Sequence, residues 1–202
     1  MYDQLMVDLE TLGTKPGAVI LSVALVEWNW KGEIGKKGVF KFPLAESVSI
    51  GFMIEPGTVD WWNRQDKQAF AEALDYELGD GDFNAMIRFF QSSGDVEMSV
   101  WGNGARFEFG LLAEYFEKRN IALPWKHTME RDVRTIVSLL PEVKKMWNFV
   151  GNKHNPLDDC ENQIGYLVET LKNLCMLFRE GNGGLFNPEG VLSHLYADNK
   201  PF

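Results

Sequence analysis

The feature that most constrains the fold is a run of apolar residues, AVILSVALVEW, at positions 18–28. A strand with one solvated face would alternate apolar and polar residues, whereas this run is continuous and rich in Val, Ile and Leu. We therefore expect a central strand of a sheet that is buried on both faces. A sheet of that kind needs a packed layer on each side.

The patterns along the chain give consecutive strands followed by alternating helix, strand and helices, an order that implies an α/β domain with a mixed sheet. Strands are predicted over residues 4–10, 38–44 and 96–104, and Pro43 should end the second of these or confine it to an edge. Helices are predicted over residues 59–74 with Thr58 as N-cap, and over 82–93, 105–120, 131–140 and 156–178. We expect one domain over residues 1–178 and an irregular tail over 179–202.

Composition places the chain among globular proteins. It has 202 residues, of which 45% are hydrophobic. No apolar stretch is long enough to span a membrane, and the N-terminus lacks the pattern of an export signal. Cys160 and Cys175 fall within one predicted helix, where a disulfide between them is geometrically disfavoured. We expect a soluble protein of a reducing cytoplasm.

The formal net charge of −9 bears on the class of partner. An acidic protein gains no general electrostatic attraction to nucleic acid, so a protein that grips a long duplex over many phosphates is a poor candidate. A nuclease is still compatible with this charge, because divalent cations can neutralise a cluster of carboxylates and bind phosphate themselves.

Two carboxylates stand close together in the stretch QLMVDLETLG at positions 4–13. Side chains alternate along a strand, so Asp8 and Glu10 should project from one face while Leu5, Val7 and Leu9 project from the other. Two like charges beside a buried segment have two explanations. Either that face is solvated, or something positive lies there.

Two later stretches also place acids at helix starts. Glu108 lies one turn into the helix after WGNG, and HNPLDDCENQ at 154–163 puts His154 ahead of a helix with Asp158 and Asp159 in its first turn. Acids in a first turn are expected from the helix dipole alone, and a lone loop histidine is usually a surface residue. Helix periodicity does not choose between the two aspartates.

The combination of these stretches suggests metal-dependent chemistry. Four carboxylates gathered in one cleft would raise one another's pKa values unless cations held them, and oxygen ligands of this kind suit Mg²⁺ or Mn²⁺. Two such ions about 3.5–4 Å apart can stabilise the attacking and leaving oxygens of a phosphoryl displacement. A nearby histidine can then take a proton from the attacking water.

These motifs together resemble the DEDD, or DnaQ-like, 3'–5' exonuclease superfamily, in its histidine-containing (DEDDh) subgroup and most nearly in the phage and prophage exonuclease/exoribonuclease branch. MVDLETLG is similar to the first motif of the family and HNPLDD to the third. The stretches TVDWWNRQ, WGNGARFE and WKHTMERDVRTI are similar to parts of that branch. The resemblance covers about residues 4–175 and implies a ribonuclease H-like fold with a mixed five-stranded sheet flanked by helices.

Carried over by position, the resemblance implies that Asp8, Glu10 and Asp159 are metal ligands and that His154 is the general base. The second motif of the family reads Phe-Asp, whereas this chain has Phe107 and then Glu108. The extra methylene displaces the fourth carboxylate by about 1.5 Å. Site geometry usually tolerates only about 0.5 Å, so a backbone shift or a bridging water would have to absorb the difference.

The resemblance also suggests contacts with the terminal nucleotide. Thr11 and Leu12 follow the first motif, where the family meets the 3' end. Asn103 and Phe107 lie beside the second motif, and ordinary turn and core roles are the alternative for both. One member of the pair Trp61–Trp62, for which we take Trp62 as the candidate, could stack on a base while the other fills the core. Asp132 should pair with Arg131 or Arg134, and orienting a water at the site is the alternative.

The expected function is a metal-dependent exonuclease with two Mg²⁺ or Mn²⁺ ions that releases 5'-mononucleotides from single-stranded 3' ends of RNA or DNA. A first alternative, motivated by Glu108, is a catalytically impaired relative that binds nucleic-acid ends or a protein partner. A second is a ribonuclease H-type endonuclease, which the spacing from His154 to Asp159 disfavours. Relatives in the family are often dimers, so the resemblance allows a homodimer, although no exposed stripe of this chain demands one.

Overall fold

A five-stranded mixed sheet organises the chain, as seen in the computed structural model, which describes residues 2–92 and 98–181. Side chains are described as far as residue 178. The strands stand side by side in the order β3-β2-β1-β4-β5. Their bounds are β1 Gln4–Thr11, β2 Ile20–Trp28, β3 Ile34–Lys41, β4 Ser99–Gly102 and β5 Glu130–Asp132.

Strand direction decides where a functional site can form. β1 is antiparallel to β2 and β2 to β3, whereas β1 is parallel to β4 and β4 to β5. The carboxyl ends of β1, β4 and β5 therefore meet at one edge of the sheet, which is where open α/β sheets bind ligands. Every residue of β2 is buried, as the apolar run predicts, although β1 rather than β2 occupies the centre.

Helices cover both faces of this sheet. Leu5, Val7 and Leu9 of β1 belong to one core cluster, while Met6 belongs to a second cluster on the opposite face. Among the described helices, none combines the length and hydrophobicity needed to cross a bilayer. The helices are α1 Leu44–Ser49, α2 Pro56–Trp62, α3 Lys67–Leu74, α4 Phe83–Ser92, α5 Ala105–Lys118, α6 Val133–Val137, α7 Pro141–Met146 and α8 Pro156–Gly181.

The single helix predicted over residues 59–74 is wrong, because two helices, α2 and α3, occupy this stretch. Asp66 interrupts it: its carboxylate accepts hydrogen bonds from the backbone N–H groups of Gln68 and Ala69 and so caps α3. α2 begins at Pro56 after Glu55, so Thr58 is inside the helix rather than at its N-cap. The chain consequently turns beside the end of α2, which carries Trp61 and Trp62.

Other predicted boundaries also shift. The predicted helix 131–140 is partly strand, since its first two residues belong to β5, and α6 ends at Val137. β3 is an edge strand that ends before Pro43, as the proline predicts, but it begins four residues before the predicted start. α8 continues to Gly181, beyond the predicted start of the tail, and residues 182–202 lie outside the described residues.

Candidate functional site

A cleft of about 630 Å³ opens at the carboxyl ends of β1 and β4. It is bounded by the start of α5 on one side, by α2 on another and by the start of α8 on a third. The four acids and the histidine singled out in the sequence all line it: Asp8, Glu10, Glu108, His154 and Asp159. The predicted convergence of three distant stretches is therefore present in the fold.

Asp8 and Glu10 project from the same face of β1, toward α8. Gln163 of α8 donates a 2.8 Å hydrogen bond from Nε2 to Oδ1 of Asp8. Burial raises the pKa of Asp8 well above its usual range, and the negative charge of Asp159 raises it further. Burial likewise raises the pKa of Glu10 well above its usual range, and repulsion by the charge of Asp8 raises it further.

Glu108 reaches the cleft from the first turn of α5 and is only 3% exposed. Its longer side chain fits because residue 102, at the end of β4, is glycine: a Cβ there would lie 2.9 Å from Oε2 of Glu108. Burial raises the pKa of Glu108 to about 7, and hydrogen bonding to its own backbone N–H, followed by the nearby Arg134 guanidinium, opposes this rise. Among the described residues, nothing donates a hydrogen bond to the buried Oε2 of Glu108.

Asp159 and His154 form one unit at the start of α8. The backbone N–H of His154 donates a 2.9 Å hydrogen bond to Oδ2 of Asp159. His154 has a φ of 66°, which is the left-handed region that few residues with a Cβ adopt. Burial raises the pKa of Asp159, and the hydrogen bond from His154 opposes this rise.

Asp158 has a different position from its neighbour. Its Oδ2 accepts a 2.7 Å hydrogen bond from the backbone N–H of Asn152, and the residue does not line the cleft. Asp158 thus holds the loop that precedes α8, while Asp159 faces the other acids. This difference, which helix periodicity could not supply, agrees with the choice made from the family resemblance.

A metal-compatible arrangement exists within this group. One ligand atom each from Glu10, His154 and Asp159 lie within 4.8 Å of one another. Carboxylate oxygens and an imidazole nitrogen so close together can share a small divalent cation. The two chain segments that supply them, β1 and the start of α8, are held together by the hydrogen bond between Asp8 and Gln163.

Trp61 and Trp62 form the aromatic wall of the cleft, but they differ in exposure. Trp62 is 1% exposed and donates a 2.9 Å hydrogen bond from Nε1 to the carbonyl of Thr11. Trp61 is 36% exposed and meets the His154 ring edge to face, with a centroid distance of 5.0 Å. Trp62 is the core member of the pair, and Trp61 presents a ring to the cleft.

The remaining predicted nucleotide contacts divide into two groups. Thr11, Asn103 and Phe107 line the cleft, and Oδ1 of Asn103 is buried without a hydrogen-bond donor among the described residues. Leu12 differs from the expectation, since it is 3% exposed and packs in a hydrophobic core cluster. Backbone hydrogen bonds to Val19 and Glu55 turn its side chain inward.

Sequence reasoning did not predict that Gln163 and Arg134 line the cleft, nor that Thr14, Glu55 and Gly57 do. Gln163 lies four residues after Asp159 on α8, so helical spacing could have placed both on one face. Arg134 also lines the cleft, and no local pattern distinguishes it from Arg131. Asp132 does not form the predicted ion pair, because its carboxylate accepts hydrogen bonds from the N–H groups of Ala105 and Thr135.

Comparison with known sequences gives a family-level match. The model of the 3'-5' exoribonuclease Rv2179c-like domain family matches residues 3–171, which include every acid of the cleft and His154. No curated protein sequence matches this chain.

Solved structures share its fold at low sequence identity. A full-length 3'-exonuclease superposes with a TM-score of 0.62 at 12% identity, covering 86% of this chain and 84% of that one. The nuclease domain of 3'hExo, a DEDDh family member bound to rAMP, gives 0.59 at 13% identity, with 85% and 93% covered. Pop2p of S. pombe, with Mg²⁺ and Mn²⁺ bound, gives 0.56 at 14% identity, with 83% and 82% covered. The fold is therefore ribonuclease H-like, as the sequence motifs imply.

Proposed function

We infer the activity from the premise that this chain belongs to the 3'-5' exoribonuclease Rv2179c-like domain family, which makes it a 3'-5' exonuclease. We propose that it removes 5'-mononucleotides from single-stranded 3' ends with the help of two divalent cations, Mg²⁺ or Mn²⁺. The observation that carries this proposal is the convergence of four carboxylates and His154 in one cleft at the end of β1.

The cleft is suited to divalent cations. Asp8, Glu10 and Asp159 all have raised pKa values: burial is the main cause for each, and repulsion by neighbouring carboxylates adds to it. The buried Oε2 of Glu108 and Oε1 of Gln163 have no hydrogen-bond partner among the described residues. Cations would relieve the repulsion and engage free oxygens, and hard oxygen donors match Mg²⁺ and Mn²⁺.

Within this proposal, Asp8, Glu10, Glu108 and Asp159 would hold the ions. Bound divalent ions supply positive charge that offsets the negative charge developing on the phosphoryl oxygens. The same charge would attract the substrate phosphate to a protein whose net charge is −9. The metal requirement is supported by the Mg²⁺ and Mn²⁺ bound to the structurally similar Pop2p.

His154 is proposed as the general base. Its ring borders the cleft beside the acids, and its backbone is fixed by the hydrogen bond to Asp159. Trp61 packs against the ring edge to face, with 5.0 Å between the ring centroids. A neutral imidazole held in this way can accept a proton from the attacking water as the phosphodiester bond breaks.

The terminal nucleotide is proposed to lie between the aromatic wall and the start of α5. The exposed ring of Trp61, rather than the buried Trp62, is positioned to stack on a base. Phe107 would contact the same nucleotide, and the free Oδ1 of Asn103 would accept a hydrogen bond from a sugar hydroxyl. Leu12 is left out of this set because its side chain is in the core.

The family description favours RNA over DNA, and the rAMP bound to the similar nuclease domain of 3'hExo is consistent with RNA. We propose single-stranded RNA 3' ends as the preferred substrate and DNA ends as a weaker one. Placement in the phage and prophage branch and assembly as a homodimer remain predictions from the sequence. Digestion of matched RNA and DNA oligonucleotides would measure the preference directly.

The test of the proposed function is shortening of a 5'-labelled single-stranded oligonucleotide. Wild type should give a ladder of products with Mg²⁺ or Mn²⁺ and none with EDTA, and Asp8→Ala should abolish the ladder. Asp3→Ala is the matched control, because Asp3 precedes the opposite end of β1. A wild-type protein that leaves the oligonucleotide intact with both ions would refute the proposal, and internal cleavage products would show an endonuclease instead.

A further inference from the structure

Arg134 carries a positive charge in a cleft that is otherwise lined by several carboxylic acids. Among the described residues that line it, five are carboxylic acids and only Arg134 is a lysine or arginine. Four of these acids are the proposed cation ligands, but all five would repel a polyanionic substrate wherever no cation offsets them. A fixed positive charge inside such a cleft calls for a separate explanation.

The fold holds Arg134 at this place through β5 and α6. Asp132, the last residue of β5, accepts hydrogen bonds from Thr135 N–H at 2.7 Å and from Ala105 N–H at 2.7 Å. One carboxylate thus joins the start of α6, which carries Arg134, to the start of α5, which carries Glu108. Arg134 is therefore positioned relative to the acids by the main chain of two helices.

Gly104 provides room for the guanidinium. A Cβ at residue 104 would lie 3.1 Å from Cζ of Arg134, and the φ of 151° at this position also favours glycine. The Arg134 side chain therefore folds across the head of α5, on the side where Glu108 enters the cleft. Each glycine of WGNG therefore leaves space for one side chain of the cleft: Gly102 for Glu108 and Gly104 for Arg134.

The hydrogen-bond donors of Arg134 are free within the described chain. Arg131, three residues earlier, donates to the carbonyls of Thr128 at 2.7 Å and Glu130 at 2.9 Å. Arg134 donates no hydrogen bond to any residue that the structure describes, and its side chain is exposed. A guanidinium has five N–H donors in a planar fork that matches two phosphate oxygens.

We propose that Arg134 is a phosphate-binding residue, whose guanidinium takes two oxygens of the nucleic-acid backbone beside Glu108. This inference rests on the proposed function of the same cleft. It assigns to the protein itself one phosphate contact that does not depend on bound cations. It also explains how an acidic protein holds a short single strand at this edge of the sheet.

Another role for Arg134 would be to neutralise Glu108. The guanidinium does oppose the raised pKa of Glu108. If that were its only role, removal of Arg134 would change the charge and stability of the free protein. It would leave the salt dependence of substrate binding unaltered. A phosphate contact predicts the opposite, because each such contact releases counterions from the strand.

The experiment measures fluorescence anisotropy of a labelled single-stranded RNA oligonucleotide, with Ca²⁺ replacing Mg²⁺ and with intact RNA verified on a denaturing gel. Arg134→Gln, which removes the positive charge but keeps a polar side chain, should weaken binding about tenfold, as expected for a lost charge-assisted hydrogen bond. The plot of log affinity against log salt should become shallower by about 0.7, the contribution of one phosphate contact to a single strand. Arg134→Lys should fall between the two proteins, since an ammonium keeps the charge without the fork.

Arg88→Gln is the matched control, because Arg88 is an exposed residue of α4 outside the cleft. It should bind like wild type, and thermal melts should show all three variants folded. Equal affinity and equal salt slope for wild type and Arg134→Gln would overturn the inference, as would a wild type that binds no oligonucleotide. A wild type that binds but does not shorten RNA with Mg²⁺ would refute the exonuclease proposal and leave the phosphate contact standing.

Discussion

Gln163 of α8 donates a 2.8 Å hydrogen bond to Oδ1 of Asp8 on β1, which ties the helix of the third motif to the strand of the first. This bond fixes the orientation of one proposed cation ligand and lowers the pKa of its carboxyl, against the effect of burial. Residues that orient a ligand in this way are usually required for full metal affinity.

Gln163→Met should therefore raise the Mg²⁺ concentration for half-maximal exonuclease activity by about 10–100-fold. Activity at saturating Mg²⁺ should recover at least in part, because the ligand itself is retained. Gln68→Met, which removes an exposed amide paired with Glu72, is the control and should leave the Mg²⁺ titration unchanged. An unaltered titration for Gln163→Met would argue that this bond has no part in cation binding.

Glu108 should make the stability of the metal-free protein depend on pH. Its pKa is about 7 in the folded chain and near 4.5 when unfolded, so the folded state holds its proton more tightly. This contribution is fully present below pH 4.5 and is lost as the pH rises through 7. The loss is on the order of 3 kcal/mol of unfolding free energy, and the other raised acids of the cleft act in the same direction.

Glu108→Gln should accordingly stabilise the metal-free protein above pH 7 and flatten the decline of stability with pH. Urea unfolding in EDTA across the pH range measures both effects. Identical pH slopes for the variant and wild type would show that Glu108 is charged at little cost in the folded protein. Adding Mg²⁺ to wild type at high pH should raise stability, because bound ions favour the charged acids.

Shortening Glu108 to aspartate gives the residue that the resemblance to the DEDD superfamily implies for the second motif. Gly102 already makes room for the longer side chain, so we expect Glu108→Asp to leave the exonuclease rate within a few-fold of wild type. Single-turnover rates with Mg²⁺ and with Mn²⁺ give the measurement. A large gain for the variant would mean that the native chain is an impaired member of its family.

His154→Ala should reduce the rate by about 10²–10⁴-fold, the usual contribution of a general base. It should also remove the increase of kcat/KM with pH on the acid side of the profile. His127→Ala is the matched control, since His127 is exposed and outside the cleft. Retention of both rate and pH profile in His154→Ala would exclude it as the base.

Substitution of Trp61 should affect substrate binding, whereas substitution of Trp62 should affect the stability of the fold. Trp61→Ala should raise KM by about tenfold or more, as loss of one stacked base predicts, with little change in melting temperature. Trp62→Ala should lower the unfolding free energy by about 3–5 kcal/mol, because its ring is buried and its N–H is bonded to Thr11. A Trp61 variant with normal KM would place the base elsewhere.

Long apolar or periodic segments were predictable from sequence, whereas short polar ones were not. The continuous burial of β2 and the long stripe of α8 follow from patterns that span several turns or strand residues. β5 has only three residues, Glu130–Asp132, and none of them is apolar. Its strand geometry comes from pairing with β4, which no local pattern encodes.

The same contrast applies to the site. Strand alternation placed Asp8 and Glu10 on one face, and the motifs placed Glu108, His154 and Asp159, because these depend on spacing along one element. Arg134 depends on the turn from β5 into α6 and on the space left by Gly104, which are tertiary properties. The inward turn of Leu12 likewise depends on backbone hydrogen bonds to distant segments.

The hydrogen bond from His154 N–H to Oδ2 of Asp159 has a consequence for how such a site can evolve. One carboxylate anchors the histidine backbone with one oxygen and leaves the other for the cleft, so the backbone of His154 is tied directly to a proposed cation ligand. Drift in the loop that precedes α8 cannot separate them without breaking that bond. Sequence change in that loop can therefore preserve the pair only where two outside residues are kept with it: Asn162, which bonds to Val150 and to the carbonyl of Asp158, and Trp61, which packs on the imidazole.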